Sequence, residues 1–364
     1  MSVSRGRDLT ALPKAHLHLH FTGSMRQSTL WELAAERGIR LPRSLTDDVA
    51  LQVEPTRRGW FRFQRQYDTA RAVVDSEGAM RRIMHEAAED DAAEGSGRLE
   101  LQVDPTSYAP FIGGLTPAIE IVLDQAAISS RQTGVDIGII IAASRTRHPL
   151  DARTLARLAA KNVGPVVGFG LSNDERSGDT ASFGPAFRIA REAGLSAVPH
   201  GGELLGPSHV HDVVAHLRPD RLGHGVRAAE DPELLARIVD LGIGLEVCPG
   251  SNASLGVTRE PTDVPLRRLV EAGAQIALGA DDPLLFDSRL LDQYETARKI
   301  GFSDAELADL AADSIRISRA SDEVKSRLLT GVQDWLAATP DELPPSPPSW
   351  GPKTSNVRKF SGPN

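Results

Sequence analysis

Eight short apolar runs, separated by longer amphipathic stretches, constrain the fold of this 364-residue chain more than any other feature. They fall at 15–20 (AHLHLH), 98–103 (RLELQV), 135–142 (VDIGIIIA), 165–170 (PVVGFG), 196–200 (SAVPH), 220–224 (DRLGH), 243–248 (IGLEVC) and 275–280 (QIALGA). Each has the length and branched-aliphatic content of a buried strand. The intervening segments 77–94, 116–132, 151–161, 182–193, 231–241 and 263–272 read as helices, with Gly, Pro and Asp at the joins. Strand–helix alternation repeated eight times predicts an α/β fold, a (β/α)8 TIM barrel. A doubly wound open sheet is the alternative.

Two regions lie outside this alternation. Residues 39–76 follow the first strand's helix and carry GWFRFQRQYDTA. An insertion there rises over the C-terminal face of a barrel, where active sites lie. Trp60, Phe63 and Tyr67 are expected either to form a helical lid over an uncharged ligand or to pin the insertion to the barrel wall. Extra helices follow the eighth strand. The tail 341–364 is rich in Pro and Ser, poor in aliphatics, and is expected to be disordered.

Charge and cysteine content narrow the function. The net charge is −8 with no block of Lys and Arg, which argues against nucleic acid as a partner. The single cysteine, Cys248, excludes an intrachain disulfide and fits a reducing compartment. With no apolar leader and no long apolar segment, a soluble cytoplasmic chain that does not engage membranes is expected. Oligomeric state cannot be read from the sequence.

LPKAHLHLHFTGS, residues 12–24, places His16, His18 and His20 at alternate positions. On a regular strand all three share one face, which in a barrel points inward. Two imidazoles spaced this way can share a metal ion at about 2.0–2.1 Å. Hydrogen-bonded polar residues are the alternative. Other segments strengthen the metal reading. His200 ends the fifth predicted strand, with Glu203 three residues on; His224 ends the sixth; Asp281 and Asp282 end the eighth. Unrelated polar residues would not collect on one rim.

Taken together, LPKAHLHLHFTGS, PHGGE, RLGHG, LEVCPGSN and GADDP resemble, in order, the adenosine deaminase family of metal-dependent hydrolases. With the strand pattern, the resemblance spans about 9–338, implying one barrel domain with 39–76 as its lid. It implies one zinc ion held by His18, His20, His200 and Asp281, with a water or hydroxide in the remaining position. His16 takes a slot that is usually acidic in the family and stays outside the ligand set. By the same resemblance, Glu203 protonates purine N1, His224 orients the attacking water and takes its proton, and Asp282 meets purine N7. The implied reaction is hydrolytic deamination of a 6-aminopurine nucleoside, adenosine or 2′-deoxyadenosine, releasing ammonia. The implied partner is therefore a small-molecule purine nucleoside.

Three positions depart from the family pattern, and all concern the substrate pocket. Thr22 replaces a carboxylate near the ribose 5′ end, so a 5′-modified adenosine such as aminodeoxyfutalosine is the rival substrate; free adenine ranks lower. Asn173 replaces a glycine whose backbone N–H meets purine N3. Gln102 and Gly170 replace an Arg and an Asp, read as one missing salt bridge between barrel strands. Another metal-dependent amidohydrolase is disfavoured because GPVVGFGL lacks the strand-4 lysine of two-metal relatives. A non-catalytic purine-binding relative is disfavoured because no ligand is missing. Three further expectations are less specific: Cys248 is a packed strand residue, Arg145, Arg147 and His148 face substrate or solvent or cap a helix, and His209, His211 and His216 are surface residues.

Overall fold

The computed structural model describes residues 6–46 and 50–338. The Pro/Ser-rich tail falls outside the described residues. All eight predicted strands form: β1 (Lys14–His20), β2 (Ser96–Val103), β3 (Asp136–Ser144), β4 (Val166–Ser172), β5 (Ser196–Gly201), β6 (Arg221–His224), β7 (Gly244–Val247) and β8 (Ile276–Leu278). They pair in parallel and in sequential order. The cylinder closes where the His20 N–H donates to the Asp281 carbonyl and the Asp281 N–H to the His18 carbonyl, both at 3.0 Å. Closure excludes the open-sheet alternative. Outward-facing Ile139, Ile141, Phe169 and Leu171 are fully buried against the surrounding helices. Each such side chain contributes about 1.5–3 kcal/mol on burial. Helices Asp304–Ile317 and Asp322–Ala337 follow the barrel, the first opened by a Ser303/Glu306 capping box. Among the described residues no helix is long and apolar enough to cross a membrane.

Below the rim, the barrel interior carries an ionic network beside aliphatic Ile140 and Val198. Arg98 pairs with Glu100 (3.0 Å) and Asp136 (2.6 Å), and Arg221 bridges Glu100 and Glu246, each at 2.6 Å. All but Asp136 are buried. Apart from Arg98 and Glu100, neighbours on one face of β2, the sequence pattern shows these only as isolated charges, because their partners come from other strands.

One strand expectation is corrected. His16 does not share a face with His18 and His20. In β1, His16 pairs with Leu99 and Leu19 with Leu101, so three residues of β1 span two of β2. This irregularity breaks the alternation and turns His16 outward. Its Nδ1 donates to Asp91 of helix Glu77–Ala93 (2.9 Å), and its Nε2 accepts from the Ala280 N–H (3.1 Å).

The 39–76 insertion contains helix Arg57–Arg71. It is tied down by the Leu51 N–H on the Leu285 carbonyl (2.8 Å) and the Val53 N–H on the Ser254 carbonyl (2.9 Å). Phe63 stacks on Phe286, with ring centroids 5.5 Å apart. Trp60, Phe63 and Tyr67 also line the cavity at the barrel mouth, so pinning the insertion does not withdraw them from it.

Candidate active site

At the C-terminal ends of the strands, a cavity of about 400 Å³ is lined by His20, Thr22, Gln102, Asn173, His200, Glu203, His224, Asp281 and Asp282, with the three lid aromatics above. At its floor the ring nitrogens of His18 and His20 converge on Asp281, and His200 faces His18. Nε2 of His18 and of His200 face each other at 3.0 Å, and Asp281 Oδ1 lies 3.2 Å from His20 Nε2 and 3.5 Å from His18 Nε2.

Hydrogen bonds fix the state of two of these rings. His18 Nδ1 donates to Glu246 Oε2 (2.8 Å), and His200 Nδ1 donates to the Leu171 carbonyl (3.1 Å). With both Nδ1 atoms donating, the two Nε2 atoms face one another beside a carboxylate, an arrangement that shared positive charge, a proton or a metal cation, would stabilise. Burial opposes charge on His18, yet Asp281 and Glu246 outweigh it and raise its pKa to about 10. The spot attracts positive charge. Three imidazoles and one carboxylate match the nitrogen and oxygen donors that zinc takes in catalytic sites. Ser251 Oγ donates to Asp281 Oδ2 (2.6 Å), leaving Oδ1 toward the rings.

Close approach at two glycines makes the cluster possible. A Cβ on Gly223 would lie 2.3 Å from the His200 ring and 2.9 Å from the His18 ring. A Cβ on Gly23 would lie 1.8 Å from Asp282 Oδ1. The backbone is strained at the same place: His224, Asp281 and Asn173 adopt positive φ of 63°, 62° and 79°.

The three remaining titratable groups lie beside the ligand cluster. Glu203 Oε1 is 3.6 Å from His224 Nε2, which is 4.0 Å from Asp281 Oδ2. Burial, reinforced by the charges of Asp281 and Glu175, holds the Glu203 carboxyl well above its usual pKa. Burial, then the charge of His18, lowers His224 to about 3, so its ring is neutral. Burial, then Asp281, raises Asp282 well above the usual range, and its Oδ1 has no hydrogen-bond partner. One neutral base and two carboxyls whose burial favours the protonated form thus surround the floor of the cavity.

The family model for adenosine deaminase matches residues 13–335. The chain belongs to the adenosine deaminase family. Members are hydrolytic deaminases, and this chain is one of them. A putative adenosine/adenine deaminase of Streptomyces coelicolor is 58% identical over 343 residues, covering 92% of this chain and all of the relative. The structure of an adenine deaminase from Arthrobacter aurescens superposes with a TM-score of 0.83 at 30% identity, covering 90% of this chain and 100% of the other. A zinc-bound amidohydrolase from Burkholderia ambifaria gives 0.79 at 25% identity, covering 91% and 94%.

The structure also resolves the departures from the family pattern. Thr22 Oγ1 is hydrogen-bonded to Tyr108 Oη (2.5 Å), so a neutral hydroxyl pair stands where a carboxylate is usual. Asn173 keeps a glycine-like left-handed backbone at the cavity wall, and its Oδ1 accepts from the Asp174 N–H (2.8 Å). Gln102 and Gly170 are neighbours: a Cβ at 170 would lie 3.3 Å from Gln102 Oε1. Arg145 is buried and donates to the His200 carbonyl, Arg147 lines the cavity mouth, and His148 Nδ1 caps the next helix by accepting from the Leu150 N–H (3.1 Å). Cys248 is buried, as expected. His209 departs from its expected surface position, with 10% of its side chain exposed. Sequence reasoning missed Glu246, Ser251 and Tyr108. LEVCPGSN contains the first two, but only their distant partners reveal what they hold.

Proposed function

We propose that the protein is a zinc-dependent aminohydrolase converting adenosine or 2′-deoxyadenosine to the corresponding inosine and ammonia. The observation that carries this reading is the juxtaposition, at the floor of one cavity, of the overlapping donor groups His18/His20/Asp281 and His18/His200/His224 with Glu203, whose burial favours the protonated carboxyl. Bound zinc supplies a hydroxide-like nucleophile near neutral pH. His224 takes the proton released when purine C6 is attacked. Glu203 donates its proton to N1 as electron density moves there from C6. Protonated Asp282 donates to the N7 lone pair, which fixes the ring plane. Trp60, Phe63 and Tyr67 cover the purine and exclude bulk water.

A nucleoside is favoured over free adenine by the far end of the cavity. It extends past Thr22 and Tyr108 to Asp68, Arg71 and Arg147, further than a bare purine requires, and Thr22 does not fill the ribose space as a glutamate would. Free adenine is the second reading, favoured by the activity named for the Arthrobacter relative. Ammonia release from zinc-loaded protein, measured with adenosine, 2′-deoxyadenosine, adenine, 5′-methylthioadenosine and aminodeoxyfutalosine, decides between them. The proposal expects kcat/KM for adenosine above about 10⁴ M⁻¹s⁻¹. Exclusive turnover of adenine would replace it with the second reading. Preference for a 5′-modified member would assign the altered specificity to Thr22. Silence across the panel with zinc bound would refute it.

A further inference from the structure

Glu203 stands on a segment, residues 202–206, that belongs to neither β5 nor the helix Pro207–Leu217 that follows. A general acid must nevertheless hold its donor oxygen within about 2.6–3.2 Å of the atom it protonates. Something outside the segment has to fix it. Three successive backbone N–H groups there converge on one carboxylate: Glu203 donates to Glu175 Oε1 at 3.2 Å, and Leu204 and Leu205 donate to Glu175 Oε2 at 2.8 Å each.

Glu175 lies on the loop after β4, and its side chain is entirely enclosed. Among the described residues no Arg or Lys nitrogen comes within 4.0 Å of it; the one basic group that does is His209, whose Nδ1 is 3.9 Å from Oε2. Burial pushes the His209 ring below its usual pKa and so keeps it neutral. The buried guanidinium of Arg145, from the loop after β3, offsets the charge of Glu175 electrostatically. An enclosed carboxylate with no direct cationic partner is costly. Its three hydrogen bonds all go to the backbone of the segment that carries Glu203.

The opposite edge of the segment is held as well. The Arg227 side chain donates to the Leu204 carbonyl (2.6 Å), and the Arg227 N–H donates to the Gly202 carbonyl (3.0 Å). The segment is therefore clamped between a carboxylate on its N–H side and a guanidinium on its carbonyl side. Glu175 does not line the substrate cavity, so it reaches Glu203 through the backbone and through its charge, not by touching the substrate.

We infer that Glu175 is a positioning residue for the proton-donating carboxyl of Glu203, holding that carboxyl at purine N1 through the three backbone N–H groups of residues 203–205. The inference rests on the proposed role of Glu203. Glutamine cannot replace Glu175 fully, because it offers one acceptor oxygen and turns an NH₂ group toward an N–H donor.

The test compares zinc-loaded wild-type protein with E175Q and E175A, measuring kcat, KM, zinc content and thermal unfolding, with a crystal structure of E175Q. Misplacing a reacting group by about 1 Å can cost 10²-fold in rate. We expect kcat to fall about 10-fold in E175Q and about 100-fold in E175A, with KM within about twofold and one zinc per chain retained. In the E175Q structure the Glu203 backbone should shift while His200 and Asp281 stay in place. If E175A does not fold, E175Q decides alone. Wild-type kcat in either folded variant, or a loss that appears only in KM or in zinc content, overturns the inference. If the wild-type protein releases no ammonia from any purine, the functional proposal fails separately. The E175Q structure then decides: an unmoved Glu203 refutes the clamp, and a displaced one with His200 and Asp281 in place supports it.

Discussion

Glu246 links the ionic floor of the barrel to the candidate metal ligands, and replacing it with glutamine isolates that link. The side chain is fully enclosed, and its two oxygens serve different partners: Oε2 accepts from His18 Nδ1 at 2.8 Å and Oε1 from Arg221 Nε at 2.6 Å. Glutamine has one acceptor oxygen for these two donors. In either orientation its NH₂ group faces a donor, so either His18 or Arg221 loses its partner. Arg221 keeps Glu100 at 2.6 Å, whereas His18 has no second carboxylate at Nδ1. The lower-cost arrangement therefore leaves His18 with the weaker amide bond or with none. Its ring is then less firmly oriented, and Nε2 is less basic toward the metal. Losing such an outer partner typically costs 10–100-fold in metal affinity, or about 1.4–2.8 kcal/mol. Competition with a chelator of known zinc affinity measures this directly, and thermal unfolding of both proteins controls for folding. We expect the zinc Kd of E246Q to rise by that factor. A Kd within twofold of wild type, in folded E246Q, would refute the reasoning.

Three other expectations follow from the same geometry. Gly23→Ala places a methyl where Asp282 Oδ1 now sits, so kcat/KM should fall at least 10-fold with zinc content unchanged; a fully active variant would contradict the close approach. Glu203→Gln cannot supply an ionisable proton, and kcat should drop by about 10²–10⁴-fold while zinc stays bound; steady-state kinetics with metal analysis checks both. Burial opposes ionisation of Glu100, but Arg221 and Arg98 outweigh it and lower its pKa from 4.5 to about 2. Its folded pKa is depressed, so the stability it contributes is present above the unfolded value and is lost as pH falls toward 2. Between pH 5 and 3 that amounts to about 2 kcal/mol. Urea unfolding at the two pH values should show wild type losing that much more stability than Glu100→Gln, and equal losses would count against the ion network.

How much could be read in advance depended on how local the information was. All eight strands were legible, because burial on both faces of a parallel strand produces a continuous apolar run. The rim residues were legible because a barrel delivers every strand's C-terminal end to one face, so His200, His224 and Asp281 could be grouped without contact information. The lid aromatics were placed in the correct region, but their double role depended on Phe286, more than 200 residues away.

The sequence by itself determined the cylinder, the family and the set of residues gathered at its mouth, since each follows from patterns a few residues long. Tertiary structure decided the rest. The irregularity in β1 that turns His16 away from His18 has no mark in an alternating His-x-His-x-His run, because the extra residue is defined only against β2. Glu246 holds His18, Glu175 holds the Glu203 segment and Tyr108 holds Thr22 across separations of 228, 28 and 86 residues. A buried carboxylate or hydroxyl takes its role from the donor it meets, and that donor is chosen by how the chain closes on itself.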